Sequence, residues 1–123
     1  MALPHANLLD VITVRPLGDK LVDSFSTSLI KTERTQLLHL VLTAHEDQPE
    51  RHVDQECVIH CLEGVVEVAM PGGVRKLEAG QLVVLPARQK HSLRARTDAT
   101  VLMTLILDRG DAGDQGGAGN KTI

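Results

Sequence analysis

Aromatic side chains are almost missing from this chain: Phe25 stands alone among 123 residues, with no Trp and no Tyr. A core must therefore be assembled from Leu, Val and Ile, and stacking on a planar ligand would fall to His or Arg. Cysteine is equally scarce, with only Cys57 and Cys61. Four residues apart on one strand at ~3.3 Å each, their Cα atoms would lie roughly 13 Å apart, beyond disulfide reach. Both are expected as thiols, as a reducing compartment would keep them. There is no long Lys/Arg run, and the formal net charge is −3, which argues against nucleic acid as a partner. No window approaches the ~20 apolar residues of a membrane span, and the opening Met-Ala-Leu-Pro-His-Ala lacks the basic stretch of a signal peptide. These absences predict a cytoplasmic protein with neither membrane nor nucleic acid as partner, and leave a small-molecule binder or a small enzyme.

What the chain does have is a succession of short apolar runs with turn residues between them. Val11 to Arg15 reads as a strand closed by Pro16-Leu-Gly18-Asp19, and Leu29 to Lys31 and Thr35 to Ala44 follow. Then come Glu56 to Leu62, Val65 to Met70, Val74 to Leu77, Leu82 to Leu85, His91 to Arg96 and Thr100 to Leu107. No long helical period persists, and regularly spaced strands with Gly/Pro/Asp punctuation predict an all-β sandwich or barrel. At this length one domain is expected. It spans residues 11–107, after an N-terminal segment 1–10 and before a Gly-rich tail 108–123 that has almost nothing to bury and is expected to be flexible.

The segment around Glu63-Gly64 can be read residue by residue. If those two make a hairpin turn, Leu62 faces Val65, Cys61 faces Val66, His60 faces Glu67, Ile59 faces Val68 and Cys57 faces Met70. Alternation then gathers Cys57, Ile59, Cys61, Val66, Val68 and Met70 on one apolar or thiol face, predicted to be the interior. His60 and Glu67 fall on the opposite face as a surface pair.

The densest signal is Gly80-Gln-Leu-Val-Val-Leu-Pro86-Ala-Arg88-Gln-Lys-His91: a turn glycine, an apolar strand, a proline that stops it, a short loop and a histidine that opens the next strand. This layout resembles the second signature motif of the cupin superfamily, which runs Gly, five residues, Pro, one residue, Gly, two residues, His, three residues, Asn. Arg88 stands in place of the second glycine and Ala95 in place of the asparagine. Counted back from Gly64, the first cupin motif is also matched in spacing, with Ala44 at its opening glycine, Glu50 and His52 at its two histidines and Cys57 at its glutamate. The resemblance covers roughly residues 35 to 107. It implies a double-stranded β-helix, the jelly-roll barrel of the cupins, of about eight or more antiparallel strands.

The resemblance also implies a site. Its four ligand positions carry Glu50, His52, Cys57 and His91, and carboxylate, imidazole and thiolate can all bind a divalent metal such as Zn, Fe, Ni, Mn or Cu. A cysteine makes the set softer and open to oxidation. Thiol dioxygenases are cupins in which a cysteine can take this glutamate position, crosslinked to a tyrosine, and this chain has no tyrosine. The plainer readings are a buried small hydrophobe for Cys57 and solvated side chains for Glu50 and His52. Arg88 could reach the barrel mouth to bind an anion, or simply lie in solvent.

Two functions follow from different classes. One is a metal-dependent enzyme, dioxygenase- or isomerase-like, acting on a small organic acid. The other is a metabolite-binding or sensor barrel whose metal site has decayed, with no cofactor. In either, an apolar interior with a polar mouth suits a ligand with an apolar body and a carboxylate or enediol head. Finally, Val101-Leu-Met-Thr-Leu-Ile-Leu107 is apolar on both faces, whereas a strand with one face in water alternates. A homodimer covering the outer face is expected.

Overall fold

The structure is a computed structural model and describes residues 5–107; the Gly-rich tail of the sequence lies outside them. A short 3-10 helix, Gly18–Asp23, precedes eight strands: β1 Thr27–Lys31, β2 Thr35–Leu42, β3 Cys57–Glu63, β4 Val65–Met70, β5 Gly73–Glu78, β6 Leu82–Leu85, β7 Ser92–Ala95 and β8 Ala99–Ile106. They form two antiparallel sheets, one in the order β1-β2-β8-β3-β6 and one in the order β5-β4-β7. The all-β class expected from the spacing of the apolar runs and the jelly roll implied by the resemblance are therefore the observed architecture.

The core is what the composition dictates. Leu42, Cys57, Ile59, Cys61, Val66, Val68, Leu77, Leu85, Leu93, Ala95, Ala99, Val101 and Met103 pack as one buried cluster without an aromatic ring. Each contributes through area removed from water, about 25 cal/mol per Å² of apolar surface. Cys57 and Cys61 are free and buried, as the strand spacing required. Burial pushes both thiols up from their ordinary range.

Two expectations fail for physical reasons. Strands β3 and β4 are not a hairpin: β3 pairs with β6 and β8, while β4 pairs with β5 and β7. Gly64 instead carries the chain from one sheet to the other. It adopts φ 81°, and a Cβ there would come within 2.2 Å of the Asp98 carbonyl oxygen, so neither conformation nor space admits a side chain. The faces survive the loss of the pairing, because alternation is a property of each strand alone. Cys57, Ile59, Cys61, Val66 and Val68 are buried, Met70 packs against them, and His60 and Glu67 are only half-buried. Glu67 does not meet His60; it accepts a 2.7 Å hydrogen bond from Arg96.

The second failure is Val11 to Arg15, which forms no strand. The run keeps its alternation, with Ile12 and Val14 half-buried and Val11, Thr13 and Arg15 exposed, but no ladder neighbour lies beside it. Pro16, without an N–H, ends it. The following residues are tied down by Glu63, whose carboxylate accepts from the backbone N–H of Leu17 at 2.6 Å, from that of Gly18 at 3.1 Å and from the Thr100 hydroxyl at 3.1 Å.

Candidate functional site

The two motif segments lie side by side. The loop before β3 runs antiparallel to the segment that leads into and through β7. His45 N–H donates to Ala95 C=O, Gln48 N–H to Leu93 C=O and Arg88 N–H to Val53 C=O, at 2.7, 2.8 and 2.8 Å. Arg51 and His91 exchange both backbone bonds at 2.9 Å. This irregular ladder runs along the edge of β7 and brings 45–53 against 88–95.

His91 is 2 % exposed, one of two buried polar side chains among the described residues, the other being Thr100. It stands two residues before Leu93 and four before Ala95, both buried, so it shares the inward parity of β7. Its Nδ1 lies 3.0 Å from the carbonyl oxygen of Gln89. A carbonyl only accepts, so Nδ1 carries a proton, and the second ring nitrogen is Nε2. That Nε2 is buried and has no partner. An unsatisfied buried polar atom costs on the order of 1–3 kcal/mol, which makes this nitrogen the most conspicuous unmet demand of the interior.

Among the described residues, the other ligand positions implied by the resemblance do not gather with it into a group of three or more. Cys57 is 1 % exposed and belongs to the core cluster, while Glu50 and His52 are exposed. The register explains the split. Arg51 is the residue opposite His91, so Glu50 and His52 each stand one residue off that position, and neighbours in an extended segment turn to opposite sides. Among the described residues no three or more His, Cys, Asp or Glu side chains gather so as to hold a metal ion. The thiol of Cys57, pushed up by burial, is also disfavoured as the thiolate that a metal needs. The donor set therefore does not fit a resident metal.

Arg88 is exposed beside Val53 and adopts φ 63°. The left-handed backbone suited to a glycine persists here although an arginine occupies the position, at a strain of about 1–2 kcal/mol. An open cleft of about 280 Å³ lies on the same rim, lined by His52, Val53, Asp54, Leu105, Ile106 and Leu107. His91 is not among its lining residues, and Val53 is the link between the cleft and the ladder that covers His91.

Sequence reading missed one polar atom. His39 on β2 has a buried Nε2 without a partner, and burial pushes its imidazole down against the opposing pull of Glu63. Only the packing of the outer sheet face makes that nitrogen an orphan, and no spacing in the sequence signals it.

Several solved structures share this architecture. A cupin superfamily protein from Desulfitobacterium hafniense DCB-2 superposes with a TM-score of 0.69 at 17 % identity, over 84 % of this chain and 100 % of its own. An RmlC-like cupin protein from Desulfovibrio desulfuricans gives 0.60 at 24 % identity, over 83 % and 94 %. KdgF from Halomonas sp. gives 0.61 at 19 %, over 71 % and 81 %. At these identities the likeness is one of fold. No curated protein matches the sequence. The family model described as "Cupin domain" matches residues 38–107, more than half of the chain and the stretch from within β2 to the end of β8, and the protein belongs to that family.

Proposed function

We propose that this chain is a metabolite-binding cupin without catalytic metal chemistry, in which the barrel interior below the 45–53 ladder receives a small organic molecule. The observation that carries the reading is the Nε2 of His91: buried and unpartnered, on a ring oriented by the Gln89 carbonyl. A single fixed imidazole among aliphatic and thiol side chains can orient a ligand through one polar contact, which is the usual construction of a small-molecule site. Redox or Lewis-acid chemistry by a protein-held ion would need further ligands, and Glu50 and His52 face solvent. Arg88, exposed on the rim, is the cation that an incoming acid would meet first. Free thiols at Cys57 and Cys61 fit a reducing compartment such as the cytoplasm.

The test is a thermal-shift screen of small organic acids, alcohols and amides on wild type and His91→Ala. The reading expects stabilisation by compounds with a compact apolar body, lost in the variant. Stabilisation only by bulky aromatics or polyhydroxylated sugars would refute it.

The assembly reading is a homodimer through the outer face of the larger sheet. Thr27, His39, Leu102, His60 and Leu82 form one row across it, and Leu37, Thr104, Val58 and Val84 another. Leu82 and Val84 are 53 % and 52 % exposed. The outer face of the smaller sheet is different, carrying Lys76, Glu67 and Arg94 in register with Arg96 bonded to Glu67. One sheet is dressed for water; the other suits a second copy of the same neutral surface.

A further inference from the structure

Residues 7–25 hang on the barrel by one side chain. Both ends of the segment are anchored: Ala6 N–H donates to Leu29 C=O at 2.9 Å, and the Ser26 hydroxyl accepts from Val41 N–H at 2.8 Å. Between these anchors, every hydrogen bond from the segment to the other described residues ends on the Glu63 carboxylate, which accepts from Leu17 N–H and Gly18 N–H. The remaining bonds stay inside the segment, as from Asp10 to Asn7, Lys20 to Leu17 and Ser24 to Leu21. No ion pair ties it to the barrel among the described residues. Burial adds little. Leu21 is its one fully buried residue, whereas Leu8, Leu9, Val11, Val22 and Phe25 are exposed, so most of its apolar surface stays in water and does not hold it down. A segment with so few buried contacts opens at a free energy well below that of global unfolding.

The latch lies on the outer face of the larger sheet. Val41, Thr100 and Glu63 stand in register on β2, β8 and β3. Val101 and Met103 belong to the core, so Thr100 between strand and solvent turns the other way. It is nevertheless 0 % exposed, and the segment bonded to the same carboxylate is what lies over it. We propose that residues 7–25 form a strap that opens and closes as a unit over this row, with Glu63 as its latch. Opening breaks two charge-assisted bonds and exposes Leu21, while the eight strands keep every bond of their ladders. Thr100 still donates to Glu63 at 3.1 Å, which keeps the carboxylate in place for the strap to return to. The strap is therefore a gate: the Thr100 hydroxyl and its row are reached from solvent only when it is open.

Amide hydrogen exchange on the full ¹⁵N-labelled chain tests this in wild type, without a substitution that could disturb folding. The Leu17, Gly18, Lys20 and Ser24 amides are expected to share one opening, far more frequent than that of the β2, β3 and β8 ladders and unchanged on tenfold dilution. Glu63→Gln is the matching variant. Its single acceptor oxygen can still serve Leu17 and Thr100, but its NH₂ faces the Gly18 N–H with nothing to accept. Opening of the four amides should rise about tenfold, the scale of a lost charge-assisted bond, with ladder protection kept. Trypsin cleavage after Lys20 should quicken by the same factor, because it follows the open population; Arg15 precedes Pro16 and is silent. Strap amides that exchange only with the ladders would overturn the proposal. So would an unchanged opening in Glu63→Gln, or a loss of ladder protection there, which would assign the carboxylate to the sheet. Strap protection that falls on dilution would assign the cover to a second copy and overturn it as well.

Discussion

The carbonyl oxygen of Gln89 lies 3.0 Å from Nδ1 of His91, and this contact within a three-residue stretch decides what the barrel interior can do. It fixes the ring and leaves Nε2 buried without a partner. In a metal centre the same orienting contact would serve a ligand. Here the residues at the companion positions are split between core and solvent, and no group of three or more metal-ligating side chains forms among the described residues.

Gly64→Ala tests the crossing between the sheets. The positive φ and the 2.2 Å approach to the Asp98 carbonyl combine backbone strain with a clash against backbone that cannot swing away. A loss of about 2–4 kcal/mol is expected by urea denaturation, on the sum of a left-handed penalty and overpacking. A loss below about 0.5 kcal/mol, the range of an ordinary surface substitution, would show that the crossing is not built this way.

Arg88→Gly should stabilise. Removing the side chain relieves the left-handed strain of about 1–2 kcal/mol, and the added freedom of glycine in the unfolded chain returns about half of it, for a net gain of about 0.5–1 kcal/mol. If Arg88 also receives acids at the rim, the variant binds them more weakly while melting higher. A variant less stable than wild type would mean that the arginine side chain makes contacts that outweigh its backbone cost.

The stability of the fold should fall on mild acidification because of His39. Burial lowers its folded-state value below the ordinary one of about 6.5, so the unfolded chain takes up the proton first. The contribution is whole above that ordinary value and is lost as pH falls through it towards the depressed folded value. His39→Gln should flatten this part of the stability-against-pH curve, measured by chemical denaturation across pH 5–8. An unchanged slope in the variant would place the titration elsewhere.

Much of this fold was legible in local pattern. The bounds of β4 and β6 coincide with the apolar runs that announced them, and the buried faces of β3 and β4 follow from alternation alone. Pairing was not legible in the same way, because Glu63-Gly64 resembles a hairpin turn while the partners of β3 are β6 and β8, which are distant in sequence. The site divides along the same line. The burial of His91 could be anticipated from the proline-stopped strand before it. That Arg51, rather than Glu50 or His52, stands opposite it depends on a register between two irregular segments, which residue spacing within either one does not encode.

Assembly can be checked by light scattering at micromolar concentration. Wild type should show the mass of a dimer, and Val84→Glu, which places a charge at a half-exposed position of the outer face, should shift it towards the monomer without loss of fold. A monomeric wild type would leave the apolar rows of the larger sheet without the partner proposed for them.

The most direct test of a barrel that works through a lone imidazole is elemental analysis of the protein purified without chelator, beside His91→Ala and His60→Ala. The account predicts far less than one divalent ion per chain in all three, together with ligand-dependent stabilisation that disappears only in His91→Ala. One bound ion per wild-type chain, kept in His60→Ala and lost in His91→Ala, would contradict it and restore a metal centre at this site.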